Sequence, residues 1–213
     1  MSPVRIDRAG YPFIFSALVL AAVAAIWSFA LGAVLLALAA FFTFFFRDPE
    51  RALPTVLKDN EVLAPADGRV LVAGDVIPDG APAGSWRQVS IFLSPMDVHV
   101  NRVPASGRVT RVTVTPGRFL PAYRHDAGSV NERSEIWIDH HGQPIVTRQI
   151  VGMLARRVVC RLAGGDEVRA GQRLGIMKFG SRMDVFVPDD AVITVQVGAT
   201  VRGGETVIAV LHS

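Results

Sequence analysis

At Gly180-Ser181 a hydroxyl follows a residue with no side chain to shield its carbonyl. Glycine admits backbone conformations closed to other residues, and in a strained turn the serine oxygen can lie over the preceding carbonyl carbon. The same dipeptide also occurs in ordinary turns, so its neighbours decide its meaning. Leu93-Ser-Pro-Met-Asp-Val-His-Val-Asn-Arg-Val-Pro104 places Asp97 and His99 two residues apart, which on a strand puts both on one face. His99 there suits a catalytic imidazole or a core histidine equally. In Leu63-Ala-Pro-Ala-Asp-Gly-Arg69 the Asp67-Gly68 step reads as a turn. His140-His141 precede Gly142 and read as a solvated hairpin tip. Adjacent strand residues point to opposite faces, so a shared metal is not expected there. His125 and His212 have no evident local partners. Cys160 follows Val158-Val159 and reads as a small buried hydrophobe; as the only cysteine it forms no intrachain disulfide. P-loop, dinucleotide, HExxH and paired CxxC motifs are all missing, so neither a nucleotide nor a metal is expected.

The elements that must carry these residues fall into two textures. Half of the 213 residues are apolar and 19% are charged, which excludes a disordered tail protein and argues against a nucleic-acid binder. No charge occurs from Ala9 to Phe46, a stretch that holds eight of the twelve phenylalanines. As one helix it would run about 57 Å at 1.5 Å per residue, too long for a single pass through roughly 30 Å of hydrocarbon. Pro12 suits a first helical turn and Gly32 lies near the middle, so two short helices over 12–29 and 33–46 are expected, forming a hairpin that spans or embeds in a membrane. One tilted pass with an interfacial extension is the alternative. Arg5 and Arg8 at one end, and Arg47 and Arg51 at the other, favour a cytoplasmic location for both flanks. A cleaved signal peptide would have a much shorter apolar core. Without residues 1–47 the net charge falls from +3 to +1, since only Arg5, Asp7, Arg8 and Arg47 are charged in that leader.

From Asp48 onward short β-branched runs alternate with Gly, Pro and Asp: Gly68–Ala73, Gln88–Leu93, Gly107–Val114, Glu135–Asp139 and Ala191–Val197. These have strand length and period-2 character, and no amphipathic helix of twelve residues follows residue 50. Two internal repeats point to duplication. Pro65-Ala-Asp-Gly-Arg-Val70 returns as Pro104-Ala-Ser-Gly-Arg-Val109. Gly165-Asp-Glu-Val-Arg-Ala-Gly-Gln-Arg-Leu174 returns as Gly198-Ala-Thr-Val-Arg-Gly-Gly-Glu-Thr-Val207. The expected architecture is mainly β, a duplicated barrel-sandwich-hybrid-like domain over 48–213 that resembles the biotinyl/lipoyl type, preceded by the helical hairpin over 1–47.

Five segments in order are more specific than any one: Phe45-Phe-Arg-Asp-Pro-Glu-Arg51, Pro65-Ala-Asp-Gly68, Ser94-Pro-Met-Asp-Val-His-Val-Asn-Arg102, Asn131-Glu-Arg133 and Phe179-Gly-Ser-Arg-Met-Asp184. Together they closely resemble the short (type A) form of the phosphatidylserine decarboxylase family, which are pyruvoyl-dependent membrane enzymes. The resemblance covers residues 45–213, and the apolar leader agrees with it.

The resemblance implies self-cleavage between Gly180 and Ser181. The Ser181 hydroxyl attacks the Gly180 carbonyl in an N-to-O acyl shift. β-Elimination then releases the 1–180 chain, and loss of ammonia leaves a pyruvoyl group, the cofactor, capping residues 182–213. A serine hydroxyl needs a base and oxyanion donors for this, and the resemblance assigns Asp67 and His99 to that work. Longer members carry a second histidine, whose position here falls at or near Arg102, so His99 is expected to serve both maturation and decarboxylation. The pyruvoyl ketone then acts as an electron sink in a Schiff base with phosphatidylserine, and loss of CO₂ yields phosphatidylethanolamine. His99 is the expected proton donor, and Arg182 is the expected partner of the substrate's phosphate or carboxylate. The implied partners are phosphatidylserine in the cell membrane and the two cleaved chains with one another, with the catalytic domain on the cytoplasmic face. A homo-oligomer is compatible with the sequence.

Two rivals remain at this level, the lesser being a membrane-tethered structural β-domain left as one unmodified chain. Ile176-Met-Lys-Phe179 resembles the Ala-Met-Lys-Met tip on which biotin is carried, so a membrane-tethered carrier domain modified at Lys178 would explain the repeats, though not the leader or the Asp67 and His99 segments.

Overall fold

The computed structural model describes residues 5–76, 80–153, 158–178 and 180–212. Phe179, the first residue of the fifth motif, lies outside them. The chain divides into two compact units, residues 1–50 and 51–213.

The first unit is a helical hairpin. Strand β1 (Arg5–Ile6) precedes helices α1 (Tyr11–Trp27) and α2 (Phe29–Phe45), and β1 pairs antiparallel with β2 (Arg47–Asp48), which fastens the two ends together. Asp48 therefore pairs with the leader, one residue past the boundary expected from the sequence. The break between helices falls at Ser28, not at Gly32. Ser28 is extended (φ −154°, ψ 116°) and its Oγ accepts from the Leu31 N–H at 3.4 Å, capping α2. Gly32 instead lies within α2, where a Cβ would press on Ala25, so it lets the two helices approach closely there. Phe13 meets Phe42 edge-on at 5.6 Å between ring centroids. Ile26, Trp27, Phe29 and Val34 are exposed, an apolar exterior that suits lipid and not water. The run Arg8–Trp27 is long and apolar enough to cross a membrane, whereas Phe29–Phe45 is shorter.

The second unit is mainly β, and it is built twice. Its strands are β3 (Glu61–Leu63), β4 (Gly68–Asp75), β5 (Trp86–Leu93), β6 (Val100–Arg102), β7 (Gly107–Thr115), β8 (Arg133–His140), β9 (Gln143–Val151), β10 (Val158–Cys160), β11 (Glu167–Val168), β12 (Arg173–Met177), β13 (Ser181–Pro188), β14 (Val192–Ile193), β15 (Thr200–Val201) and β16 (Val207–Val210). An eight-stranded antiparallel sheet runs β11-β7-β8-β9-β13-β5-β4-β15, flanked by the three-stranded sheets β10-β12-β6 and β14-β16-β3. The order reads alike from either end about the β9–β13 pair. The sequence repeats account for this. Glu167 and Val168 pair with Arg108 and Gly107, just as Thr200 and Val201 pair with Arg69 and Gly68. Gly107 backs onto the Asp139 carbonyl and Ile138, just as Gly68 backs onto the Phe92 carbonyl and Ile91. Each half has its own apolar cluster, one around Val70, Ile91 and Val201 and one around Val109, Ile138 and Val168. Every such side chain is worth about 1.5–3 kcal/mol on full burial.

Beyond Asp48 the sole helix among the described residues is the single turn α3 (Ala127–Val130). Of the expected run Ala191–Val197 only Val192–Ile193 is strand. The two central strands, β9 and β13, were not expected from the sequence.

Candidate active site

Gly180-Ser181 stands at the entrance to β13. Ser181 is the first residue of that strand, paired with Leu93 of β5 on one side and Val151 of β9 on the other. Gly180 has φ +71°, with open space where a side chain would sit. Glycine is therefore needed for the left-handed backbone and not for room. Ser181 is fully buried, and its Oγ has no hydrogen-bond partner among the described residues. Leaving a buried hydroxyl unpaired costs about 1–3 kcal/mol, so the fold tolerates a defect at this atom.

His99 lies beside Gly180, at the amide that precedes the Gly180–Ser181 bond. Its ring is fully buried, with Nε2 3.4 Å from the Gly180 amide nitrogen and Nδ1 3.0 Å from the Asp97 carbonyl oxygen. A carbonyl only accepts, so Nδ1 carries the hydrogen and Nε2 turns its lone pair toward Gly180. The backbone closes the arrangement, because Met177 N–H donates to the His99 carbonyl at 3.2 Å. Asp97 and His99 sit in the loop between β5 and β6 and do not share a strand face. The Asp97 carboxylate accepts from the backbone N–H and the hydroxyl of Ser94 at 2.8 and 2.7 Å, which shapes that loop.

Asp67 braces the neighbouring segment. Its Oδ2 accepts from Arg51 Nη2 at 2.6 Å and its Oδ1 from the Gly203 N–H at 2.8 Å. Arg102 approaches the same turn, its side chain resting where a Cβ on Gly204 would sit, while its backbone N–H donates to the Pro65 carbonyl at 2.8 Å. Ala66 packs with Leu93, Met177 and Met183 in one buried cluster. That cluster joins the Pro-Ala-Asp-Gly segment to the strand ends that hold His99 and Ser181.

Arg182, expected at the substrate, is held in a buried ion pair. It is 2% exposed, and its Nε and Nη2 grip the Asp184 carboxylate at 2.6 and 2.9 Å. Nη2 also donates to Ser90 Oγ at 3.1 Å and Nη1 to the Arg124 carbonyl at 3.3 Å. Consecutive strand residues face opposite sides of a sheet, so the guanidinium lies across β13 from the Ser181 hydroxyl. It is a structural ion pair.

Gly152 carries no sequence signal of its own, yet it abuts the Gly180 carbonyl oxygen, with the Ala122 methyl alongside. Asn131 explains how that contact is held. Fully buried, it donates to the Leu120 and Val151 carbonyls at 2.8 Å each and accepts from the Leu120 N–H at 3.0 Å, clamping both flanks. A cleft of about 160 Å³ opens beside Gly180, with Phe92, Pro95, Tyr123 and Met153 in its wall; Tyr123 and Met153 are exposed. Cys160 is half-buried, and burial pushes its thiol pKa up, away from nucleophilic chemistry.

Residues 38–209 match the family model for phosphatidylserine decarboxylase. Over 212 residues the chain is 43% identical to a phosphatidylserine decarboxylase proenzyme of Symbiobacterium thermophilum, covering 98% of each chain. It is 43% identical over 211 residues to the proenzyme of Anaplasma phagocytophilum, covering 98% of this chain and 92% of that one. To the proenzyme of Chlorobium phaeobacteroides it is 46% identical over 171 residues, 80% of this chain and 79% of that one. The class is thus a carboxy-lyase made as a zymogen. Within that class, the chain belongs to the phosphatidylserine decarboxylase family. That membership displaces the carrier reading at Lys178.

Proposed function

We propose that this protein cuts itself between Gly180 and Ser181, converts Ser181 into a pyruvoyl group, and with it decarboxylates phosphatidylserine to phosphatidylethanolamine. The observation that carries the reading is the buried Ser181 hydroxyl, unpartnered among the described residues, beside a left-handed Gly180 whose own N–H donates to His99 Nε2.

Maturation follows from those atoms. His99 takes the hydroxyl proton as Ser181 Oγ bonds to the Gly180 carbonyl carbon. The Gly180–Ser181 C–N bond breaks, the nitrogen takes the proton, and an ester links the two residues. Loss of the Cα proton of Ser181 expels the Gly180 carboxylate and leaves a dehydroalanine. Its imine tautomer takes up water and releases ammonia, which leaves the pyruvoyl group at the head of the 182–213 chain. Asp67 supports this stage by holding Arg51 and the Gly203 turn, and through Ala66 the buried cluster beneath the cleaved bond.

The pyruvoyl carbonyl supplies an electron sink for the pair left behind by CO₂. Its fit to this site rests on Ser181 Oγ, a buried polar atom with no hydrogen-bond partner among the described residues. His99 Nε2 holds the proton that the decarboxylated carbon takes up, so one imidazole serves both stages. The exposed Tyr123 and Met153 at the cleft suit a lipid whose acyl chains stay outside while its headgroup enters. The helical hairpin embeds the protein in the cell membrane with the β unit on the cytoplasmic side, and the two cleaved chains remain together.

Intact-mass analysis of the purified protein tests the reading. Two chains, the smaller lacking the mass of ammonia and carrying a ketone that borohydride reduces, are expected. A single unmodified chain with full decarboxylase activity would overturn it.

A further inference from the structure

Far from Gly180, the tip of the β8–β9 hairpin gathers donors of metal-ligating type. His140 pairs with Gln143, and the loop between them is His141-Gly142, with φ +53° and +86°. Two consecutive positive φ angles make the tight turn that matches strand twist. His141 is the only non-glycine among the described residues with a positive φ. The left-handed backbone overturns the expectation that adjacent histidines point apart. It swings the His141 ring beside that of His140, at 4.6 Å between centroids.

We infer that Asp59, His140 and His141 bind a divalent cation of the zinc class. One donor atom from each lies within 4.8 Å of the others. A zinc ion at ordinary bond lengths sets its ligands roughly 3.3 Å apart, so a shift of about 1 Å completes the site. Asp59 and His141 can make that shift, since both side chains are largely exposed. His141 Nε2 already stands 2.9 Å from Asp59 Oδ2. His140 is the anchored member: it is 4% exposed, and its Nδ1–H donates to the Ser106 carbonyl at 2.7 Å. That bond leaves Nε2 as the lone-pair donor and fixes the ring, as a carbonyl partner does for ligating histidines elsewhere. A pocket of about 420 Å³ adjoins the three, with Gln143 and His212 in its wall. Two imidazoles and one carboxylate favour zinc, copper or nickel over magnesium or calcium, which prefer all-oxygen sets. The cation would pin the hairpin tip to the segment entering β3.

The test is zinc titration by calorimetry on the tag-free, chelator-stripped full chain in detergent, with magnesium as the control. One zinc per chain with low-micromolar affinity is expected, with a rise in melting temperature and no magnesium binding. His141→Asn and Asp59→Asn, both at exposed positions and the first with a residue that tolerates the left-handed backbone, should each weaken zinc binding at least about tenfold. Self-cleavage in both variants should match the wild type, so this outcome is independent of the Gly180–Ser181 chemistry. No saturable binding at submillimolar zinc, or unchanged affinity in both variants, would show that the cluster is only an ion pair beside a histidine.

Discussion

The Gly180 carbonyl oxygen rests against the Cα of Gly152, where any side chain at 152 would begin. The obstructing atoms are backbone, so a methyl group cannot be accommodated by a rotamer change. Gly152→Ala should therefore yield a folded chain that matures at least about tenfold more slowly, because small displacements of reacting atoms carry large rate penalties. Gly165→Ala is the control: it has φ +98° but open space around it, so it strains the backbone without touching the cleaved bond. Cleavage is followed by gel and folding by circular dichroism. Equal cleavage rates in the two variants would remove Gly152 from the maturation machinery.

Ser181→Ala should give one uncut, inactive 213-residue chain. Because the lost hydroxyl is buried and unpaired, the variant should be no less stable than the wild type, and up to about 1–3 kcal/mol more stable. Thermal melting of the variant against an uncleaved wild-type preparation measures this.

Removal of His99 and alteration of Asp67 should separate. His99→Ala should slow both cleavage and turnover by about 10²–10⁴, the usual worth of a positioned acid or base. Asp67→Asn should mainly slow cleavage, since the amide loses the Arg51 ion pair and loosens the segment under the cleaved bond. Once matured, that variant should turn over near the normal rate. Normal kinetics for both stages in both variants would make these residues scaffolding only.

Arg182→Ala should lower stability by about 3–5 kcal/mol, the cost of stranding one member of a buried ion pair. Arg182→Ala/Asp184→Ala together should lose less than the sum of the two single changes. A stable single variant with a raised KM would instead restore the substrate-binding role expected from the sequence.

Deletion of residues 1–50 removes the hairpin with both clamp strands and keeps Arg51, the partner of Asp67. Self-cleavage should survive. Activity should fall far more on vesicles than on short-chain, soluble phosphatidylserine, because a membrane-embedded hairpin would supply a high effective concentration at the bilayer. Equal losses on both substrates would mean that the hairpin is needed for the fold itself.

The duplicated halves were legible in the sequence because each copy repeats its turn glycine, Gly68 and Gly107, ahead of an alternating strand. The central strands were not. In β9 and β13 both faces are covered, and the runs Thr147-Arg148-Gln149 and Ser181-Arg182-Met183-Asp184 are buried although mostly polar, so the alternation that marks a half-exposed strand is missing. Gly32 looks like a helix breaker in the sequence but serves close packing, and the capping role of Ser28 depends on one backbone angle. The motifs held Ser181 and His99, but they gave no hint that Arg182, one residue on, turns into the sheet. Gly152 was invisible because its partner is a backbone atom some thirty residues downstream.

Ser181 begins a strand gripped on both edges, by β5 along its whole length and by β9 over its first six residues. A scission there severs the chain at the rim of a central strand paired on both sides. The fragment that follows could leave only by dismantling the middle of the sheet, so its retention is governed by unfolding and not by a dissociation constant. The matured protein should then be indifferent to dilution, and its two chains should melt in a single transition at any concentration.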